Sequence, residues 1–179
     1  MLERKNTVLV LIDIQERLFQ AMHGKEALLI NLQKLVRGIR VLNSPLLWTE
    51  QNPRGLGQTL PELCELLSGV EAIEKRCFSC CGQHQFVKQL KQVQCGQVLL
   101  AGIEAHVCVF QTAADLCSLG YEVQVVKDCV SSRTAENMQA GLERMKDSGV
   151  VVTSVEMALF EMVKVAEGDE FKEILKIVK

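Results

Sequence analysis

Short, unbroken apolar runs alternate with amphipathic stretches along this chain, and that alternation excludes most folds. TVLVLID (7–13) is β-branched and continuously apolar, as a strand covered on both faces must be. KEALLINLQKLVRGIRVLN (25–43) follows, with Leu28, Leu29, Leu32, Leu35, Val36, Ile39 and Leu42 at helical spacing. The pattern then repeats. Strands are predicted at PLLWTEQ (45–51), EAIEKRC (71–77), QVLLAGI (97–103), EVQVVKDCV (122–130) and VVVTSVE (150–156). Between them lie helical LPELCELL (60–67), QHQFVKQLKQV (83–93), VFQTAADLCSLG (109–120) and TAENMQAGLERMKDSG (134–149), the last with Thr134 as its cap. NPRGLGQT (52–59) reads as a loop, and helical pieces near 157–166 and 169–178 close the chain. Six strands alternating with helices predict an α/β fold: a three-layer α/β/α, Rossmann-like sandwich on a six-stranded, mainly parallel sheet. With 179 residues and no linker, one domain spanning 1–179 is expected.

Composition removes several function classes. The chain carries 20 Lys and Arg against 22 Asp and Glu, and aromatics make up 4%. That gives no basic face for nucleic acid or an anionic membrane, and few rings for base stacking. The N-terminal apolar run ends at Asp13, too short for a signal peptide, and no stretch is long enough for a membrane span. A cytoplasmic protein is expected. No GxGxxG or GxxxxGK[ST] occurs, so no nucleotide cofactor is implied. Eight cysteines in a reducing compartment are small apolar groups, and Cys64, Cys77, Cys95, Cys117 and Cys129 read as packing thiols. Cys77-x-x-Cys80-Cys81 has no second ligand pair, and His23, His84 and His106 are scattered, so no metal is expected.

In a parallel sheet the reactive edge is the carboxyl end of the strands. Strand one ends at Asp13 and strand three near Lys75. Strand four ends at Gly102–Ile103, with Cys108 at the start of the following helix. Each has an ordinary reading alone: a turn cap, a solvated lysine, a packing thiol. Together they form a coherent set. A helix N-terminus and a lysine favour a thiolate, Asp13 can move the thiol proton, and backbone N–H groups before Cys108 can hold an oxyanion.

VLVLIDIQERL, the Lys75-Arg76-Cys77-Phe78-Ser79 segment, and AGIEAHVCVFQTAADLCSLGYEVQVVKDCVSS together resemble the isochorismatase-like cysteine hydrolase family. The resemblance runs from about residue 5 to 165 and is most specific over 98–132. It implies an Asp13–Lys75–Cys108 triad, a cis peptide at Ile103–Glu104, and oxyanion donors on the N–H groups of Glu104 and Cys108. It also implies a small-molecule substrate, an amide or related acyl compound, and a homo-oligomer. Nicotinamidase relatives carry Asp-x-His and further metal-binding histidines, whereas WTEQNPRGLG (48–57) has none. True isochorismatases cleave a vinyl ether without a nucleophilic thiol, and Cys108 argues against that reaction. TEQNPRGLGQTLPEL (49–63) resembles the isochorismatase-domain branch of uncertain substrate. Gln15, Phe19, Glu50 and Gln51 are candidate substrate contacts, with Cys80 and Cys81 as small lining groups near the site. Two alternatives stay open: an isochorismatase-type vinyl ether hydrolase, and a non-catalytic thiol sensor or scaffold.

Overall fold

A computed structural model describes residues 1–179. Six parallel strands form one sheet: β1 (Thr7–Ile12), β2 (Leu46–Gln51), β3 (Ile73–Lys75), β4 (Gln97–Ile103), β5 (Glu122–Ser131) and β6 (Val151–Thr153). Their order across the sheet is β3-β2-β1-β4-β5-β6. The order reverses between β1 and β4, the position at which such sheets open a crevice at their carboxyl edge. The helices are α1 (Glu16–Phe19), α2 (Lys25–Val41), α3 (Pro53–Leu56), α4 (Pro61–Cys64), α5 (His84–Gln92), α6 (Phe110–Ser118), α7 (Ala135–Asp147), α8 (Val155–Val163) and α9 (Gly168–Val178). No helix is long and apolar enough to cross a membrane.

The continuous apolarity of β1 and β4 has the physical cause read from the sequence: every residue of both strands is buried. Alternate side chains feed two cores. Leu9, Leu11, Leu99 and Ala101 pack under α2, α8 and α9, with Leu32, Leu35, Ile39, Leu159 and Ile174. Val8, Val10, Val98 and Leu100 pack under α5, α6 and α7, with Phe86, Leu90, Leu116, Leu142 and Met145. Helices therefore cover both faces, as an all-parallel sheet requires. Thr134 caps α7, its hydroxyl accepting from the Asn137 N–H at 3.2 Å.

Several predicted boundaries move: the stretch 52–59, read as a loop, holds helix α3, and the expected helix 60–67 shrinks to Pro61–Cys64. The expected strand 71–77 shrinks to Ile73–Lys75, an edge strand with a partner only in β2. The expected strand 150–156 stops at Thr153, because Ser154 caps α8 by accepting from the Met157 N–H. Cys108 does not sit in the first turn of an ordinary α-helix. It lies within a π-helical turn, Ala105–Val109, that runs directly into α6.

Candidate active site

Strand β1 delivers Asp13 by leaving extended geometry immediately after Ile12. Asp13 has φ +54°, a left-handed conformation that Asp tolerates better than most residues, and its N–H still donates to the Thr49 carbonyl at 3.2 Å. Opposite Ile12, Gly102 closes the distance between β1 and β4. A Cβ at Gly102 would lie 2.2 Å from the Ile12 carbonyl oxygen, and its φ is +137°, so no other residue fits. This close approach brings the β4 exit over Asp13. The Ile103–Glu104 peptide is cis, and the N–H groups of Val107 and Val109 both fold back onto the Glu104 carbonyl. That turn holds Cys108, 6% exposed, close enough to Asp13 for the carboxylate's charge to act on the thiol. Helix α7 clamps the turn from outside: a Cβ at Gly141 would meet the Ala105 carbonyl carbon and the His106 nitrogen at 2.8 Å.

Lys75 reaches the same carboxylate from β3. Its Nζ donates to Asp13 Oδ2 at 2.6 Å, and both side chains are 0% exposed. The ammonium also donates to Gln51 Oε1 at 2.7 Å and to the carbonyls of Phe78 and Cys77 at 3.1 and 3.3 Å. The other Asp13 oxygen, Oδ1, accepts from the Thr49 hydroxyl at 2.7 Å. Asp13, Lys75 and Cys108 thus meet in one place, from three separate parts of the chain. Burial works against the Lys75 charge, but the Asp13 carboxylate prevails and holds the ammonium above its ordinary 10.5. Burial likewise raises the Asp13 carboxyl above 3.8, against the pull of Lys75, Thr49 and Cys108.

The expected thiolate is not found. Burial first, then the Asp13 carboxylate, push the Cys108 thiol up to about 12, with Lys75 pulling only partly the other way. The cation predicted to favour the thiolate is committed to Asp13. Cys108 rests as a neutral thiol, beside a carboxylate whose basicity burial has increased.

Four candidate substrate contacts turn out to be internal. Gln15 donates through Nε2 to the carbonyls of Gly57 at 2.6 Å and Gln51 at 3.1 Å, and its Oε1 accepts from the Gln51 N–H. Glu50 Oε1 is taken by the N–H and hydroxyl of Thr59. Gln51 holds Lys75 and, through Nε2, the Arg76 carbonyl. Phe19 is buried with Leu11 and Ile14 in the core under α2. These residues fasten the 52–59 segment around α3 and aim Lys75. Trp48 sits against the same core and donates to the Val70 carbonyl. His106 turns aside to Ser132, 2.9 Å away. The sequence reading missed Thr49, whose signal was a lone hydroxyl in an apolar strand, in register with Ile12. It also missed Phe78, 55% exposed, whose carbonyl binds Lys75. A surface cavity of about 550 Å³ opens along the β3 edge between Pro53, Arg76 and Gln85; Lys75 borders it, and neither Asp13 nor Cys108 does. No three His, Cys, Asp or Glu side chains are grouped so as to hold a metal ion.

This geometry can be set beside known proteins. A profile of the isochorismatase domain matches residues 7–157, which includes all three convergent side chains. The chain belongs to the isochorismatase family. The family assignment carries with it a hydrolase and the parallel α/β architecture described above. Isochorismatase domain-containing protein 2 of Danio rerio is 37% identical over 179 residues, covering 99% of this chain and 89% of the relative. The secreted isochorismatase effector Isc1 of Phytophthora sojae is 36% identical, covering 97% and 85%. Among solved structures, one described as MAR1 ribonuclease from Caenorhabditis elegans superposes with a TM-score of 0.93 at 33% identity, over 99% of this chain and 91% of that one.

Proposed function

We propose that this isochorismatase-family hydrolase cleaves a small amide or related acyl compound through a thioester on Cys108. The observation that carries the reading is the buried 2.6 Å Lys75–Asp13 pair, whose carboxylate acts on a buried, neutral Cys108 thiol. Such a site needs no standing thiolate. Cys108 Sγ attacks the acyl carbon while Asp13 takes the thiol proton, so the charge forms only as it is consumed. The acyl oxygen becomes an oxyanion, received by the N–H groups of Glu104 and Cys108; one such donor contributes about 10²–10³ in rate. Protonated Asp13 then gives its proton to the departing amine, leaving the thioester. A water surrenders a proton to Asp13, adds to the thioester carbon and releases the carboxylic acid, restoring the thiol. Lys75 stays charged throughout and keeps Asp13 ionised between steps. Thr49 fixes the carboxylate plane.

We place the enzyme in the cytoplasm, where eight unpaired thiols remain reduced. Its C. elegans structural relative bears a ribonuclease name, which makes RNA a second substrate class to test. A net charge of −2 does not favour a polyanion. The test is a panel of small amides, with isochorismate and RNA included, run on wild type and Cys108→Ala and followed by intact-mass measurement. An acyl adduct on wild-type Cys108, with no turnover in the variant, supports the reading. Turnover of any substrate by Cys108→Ala at the wild-type rate contradicts it.

A further inference from the structure

A second buried thiol adjoins the first. Cys80, in the short 3-10 turn Cys80–Gly82 after β3, is fully buried in the same core as Cys108. Its Sγ lies 3.8 Å from the Thr49 hydroxyl, which is itself 2.7 Å from Asp13. Its N–H donates at 3.0 Å to Thr112, one helical turn beyond Cys108. The charges of Asp13 and Lys75 reach both thiols, and Cys80 adds to what holds the Cys108 thiol up. Simple packing does not require a sulfur at the far end of a hydroxyl–carboxylate chain leading to the nucleophile. Cys77 and Cys81 are both partly exposed, and Cys77 meets this group of residues only through its backbone carbonyl, which accepts from Lys75.

We infer that Cys80 is the resolving thiol for Cys108, so that a peroxide converts the pair into a reversible disulfide that switches the hydrolase off. The inference rests on the reading of Cys108 as a nucleophile served by Asp13. Cys108 Sγ attacks one peroxide oxygen and the O–O bond breaks. Asp13 takes the thiol proton and passes it to the departing hydroxide, which leaves as water. The sulfur, oxidised by two electrons, is now a sulfenic acid. Cys80 Sγ attacks it, the S–O bond breaks, and a second water leaves. The Cys80 proton reaches that water by way of Thr49 and Asp13. Two thiols and one peroxide thus give one disulfide and two waters. Without a resolving thiol, the sulfenic acid is open to irreversible oxidation.

The experiment treats the full-length protein with hydrogen peroxide, blocks remaining thiols with iodoacetamide and maps an unreduced digest. The expected product is a Cys80–Cys108 cross-link, a mass lower by two hydrogens, reversed by dithiothreitol. In Cys80→Ser the cross-link is absent and Cys108 accumulates as sulfinic and sulfonic acid. Sulfinic acid on wild-type Cys108 with Cys80 still alkylated overturns the inference, as does a cross-link from Cys108 to Cys77 or Cys81. A parallel sample takes iodoacetamide alone. If Cys108 alkylates readily but resists peroxide, only the pairing with Cys80 falls. If it resists both, the nucleophile reading falls with it.

Discussion

Replacing Lys75 by Met removes one half of a fully buried ion pair, and its consequence follows from the contacts. Asp13 loses its 2.6 Å partner and keeps the Thr49 hydroxyl; Gln51 Oε1 and the carbonyls of Cys77 and Phe78 lose their shared donor. Breaking a buried pair from one side costs about 3–5 kcal/mol. For a chain of this length that lowers the melting temperature by roughly 6–20 °C, at about 2–4 °C per kcal/mol. The penalty has a pH signature. Asp13 already sits above 3.8 through burial, and without Lys75 it rises further. A group whose folded pKa is raised contributes stability below its unfolded value and loses it as pH rises through the folded value. The gap between wild type and Lys75→Met is therefore widest near neutral pH and narrows as acid protonates Asp13. The double variant Asp13→Asn with Lys75→Met melts higher than Lys75→Met alone, because no charge is stranded. Differential scanning calorimetry between pH 5 and 8 reads all three. A Lys75→Met melting point within about 2 °C of wild type, or a gap independent of pH, refutes the account of a compensated buried pair.

Two other perturbations test parts of the site and its surroundings. Gly141→Ala places a methyl 2.8 Å from the backbone of the Cys108 turn, so it slows alkylation of Cys108, by up to roughly 10²-fold if the turn moves by an ångström; an unchanged rate contradicts the clamp. Burial raises the thiols of Cys64, Cys80, Cys81, Cys95, Cys108, Cys117 and Cys129 above 9.0, so the folded chain retains more protons than the unfolded one in alkaline solution. Stability therefore falls as pH rises through about 9 and beyond, and a melting temperature flat from pH 8 to 11 contradicts those directions.

The sheet was legible because burial on both faces leaves an unmistakable trace: β1 and β4 are apolar at every central position and cannot be solvent-facing strands. Parallel order put the carboxyl ends of the strands on one edge, while the family resemblance singled out Asp13, Lys75 and Cys108 there. What sequence could not supply was orientation. Gln15 and Glu50 look like free polar groups in a list of residues, yet tertiary contacts commit both to the 52–59 segment. The π turn at Ala105–Val109 has no residue pattern that separates it from an ordinary helix start. The direction of the Cys108 titration was misjudged for a related reason. A helix start and a nearby lysine both argue for a thiolate, and only coordinates reveal that the lysine's charge is answered by Asp13 while burial taxes the sulfur.

Whether Asp13 is the base for Cys108 is read most directly by the rate of Cys108 alkylation by iodoacetamide in the wild-type protein, followed by peptide mass spectrometry from pH 5 to 9. Asp13 taking the proton from a neutral thiol gives a rate that climbs with Asp13 ionisation and then stays level across neutrality. A rate that rises tenfold with each pH unit through the whole range, as for a thiol left to ionise unaided, would contradict it.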